Sequence, residues 1–122
     1  MASAIEVVRA VLCFFAMDNK VKAVVIEFGA SLKQLYGKRL EQVILFGSQA
    51  RGDAVEGSDI DVMIVLKGEV NIGEEISRTS KICSDLSLEN DVALSRIFVS
   101  SERFAKESNP LHVNVHREGI SV

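Results

Sequence analysis

The sequence predicts an α+β fold, an α/β sandwich in which a small mixed β-sheet is flanked by helices. Helical and strand patterns alternate along the middle of the chain, and the predicted strands are short apolar runs rich in β-branched residues. The 122 residues, of which 48% are hydrophobic, are enough for one compact core and too few for two. We therefore expect one domain over residues 21–122, preceded by a helical extension over residues 1–20.

The first predicted helix of the domain carries an apolar stripe, and Gly37 ends this helix as a C-cap. The residues of the stripe recur at steps of three and four: Val21, Val24, Val25, Phe28, Leu32 and Leu35. A strand over 42–46 follows directly, and a second strand is predicted over 60–66. Between the two strands, Gly47 and Ser48 mark the change from strand to a short helical turn.

The second half of the chain continues this alternation. Its next helical stripe consists of Ile72, Ile76, Thr79, Cys83 and Leu86. A third strand is predicted over 91–99, followed by a short helix that reaches Phe104. Asn109 and Pro110 open a last helix, which Gly119 closes. The predicted order is therefore helix, strand, helical turn, strand, helix, strand and two helices.

Residues 5–15 form the most apolar segment of the chain. The segment contains Glu6 and Arg9 and is shorter than the ~20 apolar residues that cross a bilayer, so a membrane span is not expected. It does not resemble a secretory signal, because no basic region precedes it. We interpret the segment as an amphipathic helix that packs on the domain or on a second subunit.

The charge of the chain and its cysteine and histidine residues limit the range of expected partners and metal sites. There are 17 acidic and 14 basic residues, the net charge is -3, and no segment gathers the lysines and arginines, so long DNA or RNA is not an expected partner. Cys13 and Cys83 lack the spacing of metal ligands and are expected to be reduced, buried thiols of a cytoplasmic protein. His112 and His116 lack a third ligand and are interpreted as facing solvent or a partner.

The segment 46–65 carries the pattern with the clearest chemistry. Gly47 and Ser48 are followed, after ten residues, by Asp59-Ile60-Asp61 at the start of a predicted strand. Because side chains alternate along a strand, Asp59 and Asp61 project from the same face. Two neighbouring carboxylates repel each other unless a cation neutralises them, and Mg²⁺ prefers such oxygen ligands together with water and phosphate oxygens. The pair therefore predicts a divalent metal site.

Gly47 and Ser48 are the predicted phosphate-binding residues. A residue without Cβ allows the backbone to come close to a phosphate, and Ser48 adds a hydroxyl at the start of a helical turn. Arg51 would add a charge-assisted contact. Phosphate held by one segment and metal held by the next is the arrangement that phosphoryl transfer requires.

The segment resembles the Gly-Ser-x10-Asp-x-Asp signature of the DNA polymerase beta-like nucleotidyltransferase superfamily, in its minimal nucleotidyltransferase (MNT) branch. The resemblance extends from about Val21 to the C-terminus. It implies the polymerase beta-like fold, a nucleoside triphosphate donor and two Mg²⁺ ions, for which Mn²⁺ can substitute. It also implies that Gly47 and Ser48 bind phosphate and that Asp59 and Asp61 are catalytic metal ligands.

The same resemblance implies a third catalytic carboxylate on a neighbouring strand. Asp91 is the best match because it opens the predicted third strand. The alternative is that Asp91 is an ordinary turn residue at the end of the preceding helix. Asp85 and Glu89, which lie on that helix, are more distant alternatives.

Larger superfamily members carry an added domain that presents the acceptor, and we do not expect such a domain within these 122 residues. It is similar to the antitoxin of MNT/HEPN pairs, which implies transfer of AMP from ATP to a tyrosine of a HEPN-type toxin. Two alternatives stay open. One is transfer to a small molecule such as an aminoglycoside, which would need a homo-oligomer to build the acceptor pocket. The other is an antitoxin that acts by binding alone.

Overall fold

The computed structural model describes residues 4–5, 7–8, 11–12, 17–55, 57–106 and 109–122. Most of the predicted N-terminal amphipathic helix lies outside the described residues, as does Cys13. The described residues of this segment are helical, and Ile5 and Leu12 are exposed. The division between an extension over 1–20 and a domain over 21–122 stays a prediction.

Helices and strands alternate along the described part of the chain. They are α1 (Asn19–Tyr36), a 3₁₀ turn (Gly37–Arg39), β1 (Leu40–Phe46), α2 (Ser48–Arg51), β2 (Ile60–Leu66), α3 (Ile72–Asn90), β3 (Leu94–Ser100), α4 (Ser101–Lys106), α5 (Pro110–Glu118) and β4 (Ile120–Ser121).

The described strands form one mixed sheet in the order β3-β2-β1-β4. β1 is antiparallel to both β2 and β4, and β2 is parallel to β3. The register pairs Asp61 with Phe46 of β1 on one side and with Ser95 of β3 on the other. Asp61 therefore lies near the middle of the sheet, and β3 forms an edge of the sheet that the described residues build.

The two faces of the sheet bury different clusters. One face of β2, with Val62, Ile64 and Leu66, packs in the larger core together with apolar residues of α1 and α3. The other face, with Met63 and Val65, packs against Phe104 and Val115 of α4 and α5. Because side chains alternate, Asp61 belongs to the second face. That face is covered at the C-terminal end of β2 and carries a carboxylate at the opposite end.

The predicted α+β class and the order of elements are confirmed, and three details are corrected. Tyr36 rather than Leu35 completes the buried stripe of α1. The third strand begins at Leu94 rather than at residue 91, because α3 extends to Asn90 and a turn follows. β4 was not predicted, since two residues carry no periodic pattern.

A buried carboxylate replaces part of the predicted stripe of α3. Ile72 and Ile76 are exposed, whereas Glu75 is 1% exposed. Glu75 accepts hydrogen bonds from the Tyr36 hydroxyl at 2.9 Å and from Arg39 at 2.8 Å. Burial by itself raises the pKa of Glu75, but these two hydrogen bonds together with the positive charges of Arg39 and Arg78 outweigh burial and hold the pKa below its ordinary value. Glu75 therefore acts as an ionised structural anchor between α3 and the end of α1.

The described histidine and cysteine side chains contribute to packing. His112 is buried, and the ring of His116 stacks on Phe104 with centroids 4.1 Å apart. The expectation that both histidines face solvent or a partner is therefore wrong for His112, because α5 turns that residue toward the sheet. Cys83 is buried, as predicted, and burial raises the pKa of its thiol. In the described part of the chain, no helix is long and apolar enough to cross a membrane.

Candidate active site

The carboxylate pair lies where β2 begins. The Ile60 amide donates a hydrogen bond to the Ala93 carbonyl at 2.8 Å, which ties the start of β2 to the turn before β3. The Ile60 side chain is fully buried, so the two residues flanking it project from the opposite face. Asp59 is exposed there and Asp61 is partly buried. Asp59 directly precedes β2, and its carboxylate is close enough to raise the pKa of Asp61.

Gly47 lies directly against the carboxylate of Asp61. It has φ 76°, a left-handed conformation that favours glycine. A Cβ at this position would lie 2.6 Å from Asp61 Oδ2. The structure thus adds a reason for glycine beyond the predicted close approach to a phosphate, because the residue leaves the space in which the Asp61 carboxylate stands.

Ser48 and Arg51 belong to the short helix α2, which follows Gly47. The Ser48 carbonyl accepts hydrogen bonds from the amides of Gly52 at 3.1 Å and Asp53 at 3.2 Å, so the turn is closed. Arg51 Nε donates to Asp53 at 3.2 Å, and Arg51 Nη1 lies 3.7 Å from Glu118. Arg51 therefore stands at the same end of the sheet as the carboxylate pair, in exposed ion pairs that water or a phosphate can replace at small cost.

The carboxylates of Asp59 and Asp61 repel each other in the absence of a cation. Burial raises the pKa of Asp61, the nearby Asp59 carboxylate raises it further, and Arg51 partly lowers it. Hard oxygen donors beside a glycine that brings no side chain of its own match the needs of a divalent cation that also binds phosphate oxygens. Within the described residues, no group of three acidic, histidine or cysteine side chains could hold a metal. The pair thus supplies two of the oxygen ligands that such a cation needs.

We expect Asp61→Asn to raise the melting temperature of the metal-free protein at pH 7. The pKa of Asp61 is raised in the folded state, so the folded protein binds the proton more tightly than the unfolded chain, and stability falls as the pH rises through that pKa. Asparagine removes this effect. The advantage of the variant should shrink as the pH falls through the raised pKa of folded Asp61, and it should be gone below about 4, where the carboxyl group is protonated in the unfolded chain as well.

Thermal denaturation of both proteins in chelator-containing buffer from acid to neutral pH measures this effect. Asp85→Asn, at an exposed carboxylate of α3 that pairs with Lys81, is the control for loss of one charge. A difference between Asp61→Asn and the wild type that does not change with pH would contradict the explanation.

The structure places Asp91 at the end of α3 rather than on β3. It caps the helix in a left-handed conformation, with φ 51° and ψ 52°, and its amide donates to the Ser87 carbonyl. It lines a cleft of about 840 Å³ together with Ser58, Gln49 and Lys20. The structure does not bring Asp91 into a three-carboxylate cluster with Asp59 and Asp61. Catalytic contacts often tighten only when substrate binds, so its metal role stays a prediction.

Ser95 and Ile97 are the neighbours of the carboxylate pair that the sequence did not indicate. Ser95 is paired with Asp61, and Ile97 with Met63, in the parallel register of β3 against β2. Both side chains are exposed, and Ile97 is exposed by 37%. A strand that alternates apolar and polar residues predicts which of its own residues share a face. It contains no information about which residue of another strand lies beside them.

The model of the nucleotidyltransferase domain family matches residues 25–117. The chain belongs to this family. The match includes the Gly-Ser turn, the carboxylate pair and most of the sheet, so the resemblance inferred from the motif is confirmed. Nucleotidyl transfer is accordingly the reaction class of this nucleotidyltransferase.

Known proteins agree with the assignment. A provisionally named protein adenylyltransferase of Methanocaldococcus jannaschii is 42% identical over 102 residues, which cover 83% of this nucleotidyltransferase and 95% of the relative. A provisionally named nucleotidyltransferase of Sulfolobus solfataricus shares the fold, with a TM-score of 0.54, 23% identity and coverage of 93% and 85% of the two chains. A toxin–antitoxin structure with AMP-PNP has a TM-score of 0.54 and 18% identity, covering 77% and 68%.

Proposed function

We propose that this nucleotidyltransferase is a protein adenylyltransferase that moves AMP from ATP to a tyrosine of a HEPN-type toxin partner. The observation that carries the proposal is the contact of Gly47 with the Asp61 carboxylate, which joins the phosphate-binding turn to the metal-binding pair. The name of the relative from Methanocaldococcus jannaschii supports protein as the acceptor. The toxin–antitoxin neighbour that was crystallised with AMP-PNP supports a toxin partner and ATP as donor.

In this proposal each residue of the site has one task. Ser48 and Arg51 bind the β- and γ-phosphates, which fixes the α-phosphate beside β2. Asp59 and Asp61 supply the carboxylate oxygens for Mg²⁺, which when bound neutralises the charge of the triphosphate during transfer. Gly47, which has no Cβ, leaves room for the Asp61 carboxylate and lets the backbone come close to the phosphate.

The acceptor tyrosine must come from another chain. The sequence contains one tyrosine, Tyr36. It is 8% exposed, and its hydroxyl donates a hydrogen bond to Glu75. Burial and this contact with Glu75 raise the pKa of the Tyr36 hydroxyl, so it is a poor nucleophile as well as an inaccessible one. Self-modification on tyrosine is therefore not expected.

Intact-mass spectrometry tests the proposal. The chain is co-expressed with the protein encoded beside it, and both masses are measured with and without Mg²⁺ and ATP. The partner should gain one or more AMP units, and this chain should gain none. If this chain inhibits its partner without modifying it, the result would favour a protein that acts by binding alone. AMP found on a small hydroxylated compound would favour the aminoglycoside-type reaction.

Asp91 is proposed as the additional metal ligand, and its conformation allows a clean test. Asparagine tolerates the left-handed conformation as well as aspartate does, so Asp91→Asn should keep the fold while it removes the carboxylate. We expect unchanged ATP binding by calorimetry and a fall in AMP transfer of about two orders of magnitude or more, as for the loss of a catalytic metal ligand. Transfer near the wild-type rate would show that Asp91 is a helix cap alone.

A further inference from the structure

The edge strand β3 borders the carboxylate pair on the side away from the phosphate-binding turn. Gly47 follows β1, which lies on one side of β2, and β3 lies on the other side. Ser95 is in register with Asp61, and Ile97 with Met63, so their side chains share the face that carries the carboxylates. The order across this face is phosphate turn, carboxylates, then Ser95 and Ile97.

This order determines the direction from which an acceptor arrives. In phosphoryl transfer the attacking and leaving oxygens lie roughly in line on opposite sides of the phosphorus. If pyrophosphate leaves toward Gly47 and Ser48 on the β1 side, the attacking hydroxyl approaches from the β3 side. β3 has β2 as its neighbour on one side, and none of the described strands pairs with its other edge.

The side chains that β3 exposes on this face carry no charge. It presents the hydroxyl of Ser95 and the alkyl side chain of Ile97, which is 37% exposed, before the strand passes under Phe104. The charged residue of the strand, Arg96, belongs to the opposite face, where it donates to Thr79 Oγ1 at 2.7 Å and to the Ile76 carbonyl at 2.9 Å. A polycationic acceptor would find no acidic side chain on this part of β3.

We propose that Ser95 and Ile97 form the acceptor-binding surface of the enzyme, and that this surface selects an uncharged aromatic hydroxyl, a tyrosine side chain of a protein partner. The inference rests on the proposed function and adds to it the location and the selectivity of the acceptor site. The tyrosine ring lies against Ile97, and Ser95 provides a hydrogen bond near the phenolic oxygen. That oxygen bonds to the α-phosphorus of ATP, the bond from phosphorus to the bridging oxygen breaks, pyrophosphate leaves with the electron pair, and the phenolic proton passes to water.

Three small acceptors test the surface without the rest of a partner: N-acetyltyrosinamide, N-acetylserinamide and kanamycin, each with Mg²⁺ and ATP. We expect AMP transfer to the tyrosine derivative in preference to the other two. Ile97→Lys should raise the KM for N-acetyltyrosinamide about tenfold, as expected when most of one apolar contact is lost. Ser95→Ala should act in the same direction with a smaller effect. The KM for ATP should stay within about twofold in both variants, because neither residue contacts the triphosphate.

Ile76→Lys is the matched control. Ile76 is 42% exposed, similar to Ile97, and lies on α3 against the opposite face of the sheet. Equal kinetics for Ile97→Lys and Ile76→Lys, or equal or better use of kanamycin or the serine derivative by the wild type, would overturn the inference while nucleotidyl transfer itself stands. If the wild type modifies neither these acceptors nor a co-expressed partner, the proposed function fails and the inference fails with it.

Discussion

Replacing both Asp59 and Asp61 by asparagine is expected to abolish the stabilisation of the protein by Mg²⁺ with ATP and to reduce AMP transfer by at least about three orders of magnitude. Asp59 directly precedes β2, Asp61 is the second residue of β2, and the Asp61 carboxylate stands against Gly47. A ligand that binds the folded state raises the melting temperature, so loss of the metal ligands removes that rise. Thermal denaturation with and without Mg²⁺ and ATP measures the first effect, and intact-mass spectrometry of the acceptor measures the second.

A control variant removes the same charge elsewhere. Asp85→Asn with Glu89→Gln deletes two carboxylates of α3, the helix that offered alternative metal ligands. This variant should keep the full response to Mg²⁺ and ATP, since Asp85 is exposed and pairs with Lys81. A normal metal response in the Asp59 and Asp61 double variant, or its loss in the control, would place the metal outside the proposed site.

Gly47→Ala is expected to cause the second large effect, loss of nucleotide binding together with lower stability. Alanine at φ 76° costs about 1–2 kcal/mol in backbone strain. In addition, the new Cβ would meet Asp61 Oδ2 at 2.6 Å, so the carboxylate must move away from its metal-binding position. Calorimetric titration with ATP and Mg²⁺ should show at least about a hundredfold weaker binding, which corresponds to about 2.7 kcal/mol.

Gly68→Ala separates the effect of backbone strain from the effect of the contact with Asp61. Gly68 has φ 79°, similar to Gly47, but a Cβ there would meet no atom within 4 Å. It should therefore lose stability through backbone strain and keep normal ATP binding. Ser48→Ala, which removes one hydrogen bond to a charged phosphate at a cost of about 1.5–3 kcal/mol, should weaken binding less than Gly47→Ala does. ATP binding by Gly47→Ala that equals that of Gly68→Ala would contradict the proposed contact.

Much of the fold and of the candidate site could be predicted from the sequence, because the patterns involved are local. The boundaries of β2, the stripe of α1 up to Leu32 and the caps at Gly37 and Asn109 follow from periodicity and from the conformational preferences of single residues. The shared face of Asp59 and Asp61 is of the same kind, since alternation within one strand places them together whatever the strand packs against.

Other features depend on contacts between distant segments. Glu75 interrupts the apolar stripe of α3, and it is buried because Tyr36 and Arg39, far away in the sequence, reach its carboxylate. No periodic pattern contains that information. The carboxyl group of Asp61 lies only 2.6 Å from the position that a Cβ of residue 47 would take, which likewise depends on how β1 pairs with β2.

The sequence by itself therefore determined the family, the carboxylate pair and the turn at Gly47 and Ser48, because residues close in the chain build them. The tertiary structure decided what stands beside that pair. Parallel pairing of β3 with β2 puts Ser95 next to Asp61 and leaves Asp91 in the helix cap before the strand. Strand register arises from packing of whole faces across the sheet, and a shift of one residue would exchange the neighbours of Asp61 without changing any local pattern in the chain.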